Sequence, residues 1–163
     1  MKHAEWGYTL VEIVFALSIV AILTFMSVTN YTEQIPHQQL RDASAALVGE
    51  LRLVRQKAIS GGTPTTISFD PNLREYKDPF IGVQTLPSHI HFSASNVTKS
   101  TDGDRDLPDD GISFVGNRAT FGSNGTGNQG AIYLTNTKKE SVAITVNITG
   151  RVKKFLWSGR DWK

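Results

Sequence analysis

From Ile13 to Thr32 the chain carries no charged residue, and the run IVFALSIVAILTFMSVTNYT is about twenty positions long. At ~1.5 Å per residue, a helix of that length reaches ~30 Å, the thickness of a bilayer's hydrocarbon core. One acid, Glu12, sits inside the apolar stretch, after Leu10 and Val11, rather than outside it. A carboxylate held at mid-bilayer costs roughly 2.5–3.5 kcal/mol, so one placed there needs a partner and a purpose. The other residues of this 163-residue chain leave room for one modest domain, which the helix would carry.

Composition separates the two parts. Hydrophobic residues make up 39% of the chain, and much of that lies in the first segment. The remainder is polar and rich in Gly, Ser, Thr and Asn, which suits short strands and turns. Cysteine is absent, so a disulfide framework and a thiolate metal site are both excluded. The net charge of +2 hides an uneven distribution. Acids crowd Asp102 to Asp110, whereas Arg151, Lys153, Lys154, Arg160 and Lys163 face a single acid, Asp161, at the end.

The leader MKHAEWG has Lys2 and His3 before the apolar run, which fits a cytoplasmic start. An ordinary secretory signal places its apolar region before the cleavage site. Here the small residue suited to cleavage, Gly7, comes first, so a cut there would leave the helix in the mature protein. A plain uncleaved anchor would need neither Gly7 nor Glu12.

A second stretch, beyond the apolar run, is amphipathic. Leu40, Ala43, Leu47, Leu51, Val54 and Ala58 recur at three- and four-residue spacing and form one apolar stripe. Arg41, Asp42, Glu50, Arg52, Arg55 and Lys57 fall mostly off that stripe and are expected to face water. Pro36 removes one helical hydrogen bond, so a kink or interruption is expected between the two halves. Ser60-Gly61-Gly62, with Pro64 behind it, should stop the helix. The period then becomes alternating. Strands are expected at Thr65–Phe69, Leu73–Lys77, Ile81–Leu86, His89–Ala94, Gly111–Val115, Arg118–Phe121, Gly130–Thr135, Ser141–Asn147 and Arg151–Leu156, separated by Gly, Pro and Asn breakers. The expected fold is α+β, a long N-terminal helix packed on a small antiparallel β-domain. Its parts are a leader (1–7), a hydrophobic helix (8–35), an amphipathic helix (36–60) and a β-rich domain (61–163).

Gly7-Tyr8-Thr9-Leu10-Val11-Glu12, with IVFALSIVAIL behind it, resembles the class III signal of type IV prepilins and type II secretion pseudopilins. That pattern usually has Phe where this chain has Tyr8. The resemblance implies cleavage between Gly7 and Tyr8 by a prepilin peptidase, and methylation of the new Tyr8 amine. It also implies that Glu12 neutralises the N-terminal amine of a neighbouring subunit during assembly. A buried carboxylate and a buried ammonium both lack water and gain from pairing. Further on, Phe121 to Gly125 form a Phe-x-x-x-Gly turn, Gly130-Ala131-Ile132 opens a strand, and Gly150-Arg151-Val152 closes a hairpin. In that order they resemble the GspH/FimT-type domain of minor pilins and pseudopilins. Implied partners are other pilin or pseudopilin subunits, the peptidase and the bacterial inner membrane, crossed once with the β-domain in the periplasm.

No enzyme is expected. A Gly-x-Ser-x-Gly elbow is missing, and Gly122 to Gly127 is succeeded by neither Lys nor a helix, which argues against a phosphate loop. Asp102-Gly103-Asp104-Arg105-Asp106 opens like a calcium loop, but Leu107 and Ser113 stand where such a loop needs Gly and Glu. His89 and His91 would share one strand face, yet no Cys or acid nearby completes a metal set. No cofactor or metal is therefore assigned. The last hairpin interleaves cations with aromatics, a combination that can neutralise phosphates and stack on bases. Within the resembling family, the FimT branch includes DNA receptors whose motif is similar to Gly-Arg-x-Arg. Here Gly150-Arg151-Val152-Lys153 keeps the charge and loses the second bidentate fork. Candidate contacts to double-stranded DNA are Arg151, Lys153, Lys154, Arg160 and Lys163. The alternative is an edge strand guarded by charge. A subunit that initiates or caps a type IV pilus-like filament is the expected function, with a type II secretion minor pseudopilin and a DNA receptor as alternatives. The short chain and its basic hairpin favour the pilus.

Overall fold

The structure is a computed structural model that describes residues 7–101 and 106–163, without the side chains of residues 26–33. The chain divides into two compact units, Met1–Ile35 and Pro36–Lys163. A single helix, α1 (Leu10–Gly61), belongs to both, and Pro36 lies inside it rather than ending it. The expected interruption at Pro36 is therefore not found. A proline lacks only one helical N–H, and the rest of the ladder on either side is good helix-forming sequence.

In the first unit, Thr9 caps the helix. Its Oγ1 accepts the Glu12 backbone N–H at 3.2 Å, the N-cap half of a Thr-x-x-Glu capping box. The apolar side chains from Leu10 to Phe25 are exposed on every face, as in Val11 at 75% and Phe15 at 68%. The hydroxyls among them are satisfied internally: Ser18 Oγ donates to the Val14 carbonyl and Thr24 Oγ1 to that of Val20. Among the described residues, no helix is long and apolar enough to cross a membrane.

In the second unit, the expected stripe is the buried face of α1. Leu47, Leu51, Val54 and Ala58 are all completely buried, each large one contributing roughly 1.5–3 kcal/mol. Gly62, at φ +63°, comes just after the last turn and donates to the Ile59 carbonyl, the expected stop. Two antiparallel four-stranded sheets complete this unit. The first joins β1 (Thr65–Asp70), β2 (Glu75–Asp78), β3 (Gly82–Thr85) and β5 (Arg118–Phe121) in the order β3-β2-β1-β5. The second joins β4 (Ile90–Phe92), β6 (Gly130–Asn136), β7 (Ser141–Val146) and β8 (Val152–Leu156) in the order β4-β6-β7-β8. Ile67 and Phe69 from the first sheet and Ile132, Leu134 and Ile144 from the second join the α1 stripe in one core. Phe69 is its aromatic centre, stacked on Phe114 and edge-on to Phe92.

The expected strand Gly111–Val115 does not form. Only Ile112 bridges to Ile132, and Val115–Asn117 is a 3-10 turn. Around that bridge the Ser113 N–H donates to the Ala131 carbonyl and the Tyr133 N–H to that of Gly111, while the Asp110 carboxylate accepts the Ile112 N–H and the Asn117 amide and ties back the turn beyond it. Strand β6 is buried on both faces, because Ala131 and Tyr133 carry a second cluster with Ala94, Ala143, Leu107 and Trp162. At the opposite end of the sheet, the β6–β7 turn is tied to α1. Asn136 Nδ2 donates to the Pro36 carbonyl at 3.2 Å, and Glu140 pairs with His37 at 2.9 Å. Burial works against the charge of Glu140, but the His37 and Asn136 hydrogen bonds outweigh it and hold the carboxyl below its ordinary value.

Candidate functional site

The N-terminal candidates lie together at the head of α1. Gly7 and Tyr8 precede the helix and are exposed. Glu12 falls in the first helical turn, where the helix dipole favours an acid. Its backbone N–H is the one that Thr9 caps, so the motif Thr9-Leu10-Val11-Glu12 both starts the helix and sets the carboxylate one turn in.

The C-terminal candidates do not form one patch. Strand β8 alternates, so Val152 is buried while Lys153 and Phe155 lie on the other face. Lys153 stands opposite Thr145, and its ammonium lies 6.0 Å from the Phe155 ring. With Arg151 these two residues line a groove of about 190 Å³ on the outer face of the second sheet, beside Ala131 and Thr145. Lys154 pairs with the core residue Ile144 and takes the opposite face. Arg160 and Lys163 lie beyond the strand, in a turn that folds back so that Lys163 and Leu156 exchange backbone hydrogen bonds. The tail's tryptophans serve the fold. Trp162 packs on Trp157 at 5.0 Å and on Tyr133 at 5.8 Å, and its indole N–H donates to the Lys99 carbonyl at 2.9 Å. Lys99 also pairs with Asp161 at 2.9 Å.

A second groove, about 640 Å³, brings in residues that sequence spacing missed. Arg52, Arg55 and Gln56 of α1 face Thr149, Gly150 and Arg151 across it. Arg55, expected to face water, is turned instead toward backbone carbonyls. Its Nε donates to Gly125 at 2.9 Å and its Nη2 to Thr149 at 3.4 Å. Gly125 and Gly150 both have positive φ, and a Cβ on Gly150 would lie 2.1 Å from the Gly125 carbonyl oxygen. The two glycines of the sequence motifs thus meet each other and the helix at a single point. No local pattern announces this, because the contacts of Arg55 are 70 and 94 residues away.

The acidic stretch 102–105 lies outside the described residues. Among the described residues, no three His, Cys, Asp or Glu side chains are grouped to hold a metal. His91 is exposed on β4 beside buried Ile90 and Phe92.

A long helix with an apolar head, laid against antiparallel sheets by its second half, defines a pilin-like subunit. The chain belongs to the GspH family: the family model for type II transport protein GspH matches residues 43–150. It is similar to type II secretion system protein H of Xanthomonas campestris pv. campestris, 30% identical over 96 residues. That match covers 58% of this chain and 57% of the relative, so the chain spans little more than half of the relative's length. Among solved structures, the minor pseudopilin EpsH of the Vibrio cholerae type 2 secretion system superposes with TM-score 0.52 at 12% identity. It covers 72% of this chain and 97% of that one. A second EpsH structure gives 0.50 at 11% identity, over 72% and 93%. These superpositions show the fold.

Proposed function

We propose that this chain is a minor pseudopilin of a type II secretion system, a structural subunit with no catalytic role. Its apolar helix rests in the inner membrane, with the β-domain in the periplasm, until it joins neighbouring subunits in a pilus-like filament. The observation that carries this is the placement of Glu12 in the capped first turn of a helix whose apolar side chains from Leu10 to Phe25 are exposed on every face. An exposed apolar helix needs lipid or other helices around it. The internal hydrogen bonds of Ser18 and Thr24 leave their hydroxyl protons satisfied in such surroundings.

Processing tests the first step. Co-expression with a prepilin peptidase should yield a chain that starts at Tyr8 and carries one added methyl group, seen by intact-mass spectrometry. Gly7→Leu should block the cut and leave the full leader. A wild-type chain that keeps its leader in the presence of active peptidase would defeat the proposal.

One observation favours a second function on the same subunit. Arg151, Lys153 and Phe155 share a strand face beside a groove, two cations and a ring suited to phosphate and base. Duplex DNA binding by the chain is then expected to weaken with salt. Arg151→Ala with Lys153→Ala should reduce affinity about tenfold or more at low salt and flatten the salt slope by about 1.8. Lys154→Ala, on the opposite face, should change it little. Equal effects from all three substitutions, or none from any, would remove the groove from consideration.

A further inference from the structure

We propose that the groove between α1 and the turn into β8 docks an acidic peptide segment of a neighbouring subunit on three arginines, which rests on the reading of the chain as a filament subunit. Arg52 and Arg55 stand three residues apart on α1, so their side chains are neighbours on the helix surface. Arg151, just before β8, faces them across the groove of about 640 Å³. A groove of that size holds several side chains rather than one small ion. No acid lines it, and none of the three guanidinium groups is paired with one among the described residues. Like charges gathered in this way repel one another, and a bound anion relieves the repulsion.

Both walls are fixed in place. Arg55 is half-buried, and its Nε and Nη2 donate to the Gly125 and Thr149 carbonyls at 2.9 and 3.4 Å. The other N–H groups of its fork stay available to a ligand. On the facing wall, the Asn147 side chain accepts the Arg151 N–H at 2.8 Å and the Thr149 hydroxyl at 2.7 Å, while the Asn147 carbonyl accepts the Gly150 N–H. A wall already ordered costs little further entropy on binding. Arg52 and Arg151 are exposed. A planar guanidinium meets a carboxylate through two parallel hydrogen bonds, so closely spaced Asp or Glu side chains fit three such groups. No aromatic ring lines this groove, so it offers nucleic-acid bases no stacking surface. In that it differs from the groove of Lys153 and Phe155, with which it shares Arg151.

The probe is a labelled hexaglutamate peptide, titrated by fluorescence anisotropy with the full chain in uncharged detergent at about 20 mM salt, where screening is weak. Wild type should bind it. Arg52→Gln and Arg151→Gln should each weaken binding about fivefold, and together about twentyfold. Both side chains are exposed, so these variants should melt with wild type. Arg55 is left intact because its hydrogen bonds hold the fold. Lys77→Gln removes the same charge from an exposed position of β2 outside the groove and should change binding little. Gly7→Leu, which keeps its leader, should bind the peptide as wild type does, so a failure of processing or assembly leaves this result untouched. The proposal is overturned if wild type does not bind the peptide. Equal losses in Lys77→Gln and Arg52→Gln also overturn it, because they would reflect net charge alone. So does the reverse selectivity, in which Arg52→Gln weakens binding of duplex DNA and leaves the peptide unaffected, since the occupant would then be a nucleic acid.

Discussion

Gly150→Ala is expected to destabilise the β-domain by about 4 kcal/mol, enough to leave little folded protein at 37 °C. Two separate penalties act at this position. The backbone sits at φ +69°, where a side chain is strained by roughly 1–3 kcal/mol. The added Cβ would also lie 2.1 Å from the Gly125 carbonyl oxygen and 2.7 Å from Arg55 Nε. Neither neighbour yields easily. Gly125 is itself at φ +79°, against Ile59, and moving it would break the hydrogen bond that Arg55 makes to its carbonyl. Denaturant unfolding of the variant should show a lower midpoint with an unchanged slope, the mark of a folded-state effect. Gly159→Ala is the control: it has φ +88° but nothing within 4 Å of the added carbon. It should lose only the backbone part. Equal losses at both positions would mean that the close packing around Gly150 has no energetic weight.

This junction also shows what the sequence could and could not convey. The apolar stripe of α1, the Gly62 stop and the hairpin turns are local, because their signals lie within a few residues of one another. The turn from Asn147 to Gly150 is legible in that way: Asn147 accepts the Arg151 N–H with its side chain and the Gly150 N–H with its backbone. Arg55 is not. Its row of neighbours on the helix reads as solvent-facing, and only the fold of two distant loops gives it carbonyls to bind. The same limit applies to the tail. Alternating cations and tryptophans describe a binding surface well, yet Trp162 closes over Tyr133 instead, with Trp157 packed against it. Alternation along β8 then sorts the cations: Arg151 and Lys153 to one face, Lys154 to the other. The strand expected at Gly111–Val115 stops short for a similar reason: the chain enters the Val115–Asn117 3-10 turn, which Asp110 ties back through the Asn117 amide.

Glu12→Ala should leave membrane fractionation and leader removal intact while reducing incorporation into filaments by two orders of magnitude or more. The physical basis is a charge left alone. If Glu12 receives the amine of a neighbour's Tyr8, its loss strands an ammonium in an apolar environment, a penalty of about 3–5 kcal/mol. Each 1.4 kcal/mol is tenfold in an equilibrium constant, so at least two decades of assembly are at stake. The helix itself should survive. Thr9 caps the backbone N–H of residue 12, which alanine retains, and alanine is the best helix former. Glu12→Gln separates shape from charge, because it keeps the side-chain length and can still accept a hydrogen bond. It should assemble nearly as poorly as alanine if ion pairing is the requirement. Thr9→Val gives the converse case: it removes the cap, costs about 1 kcal/mol at the helix start and leaves the carboxylate in place. Crosslinking to neighbouring subunits in membranes, scored against equal amounts of processed protein, would read all three. Wild-type crosslinking by Glu12→Ala would mean that the carboxylate is not the assembly contact. A defect in Thr9→Val as deep as that of Glu12→Ala would assign the role to the helix cap instead.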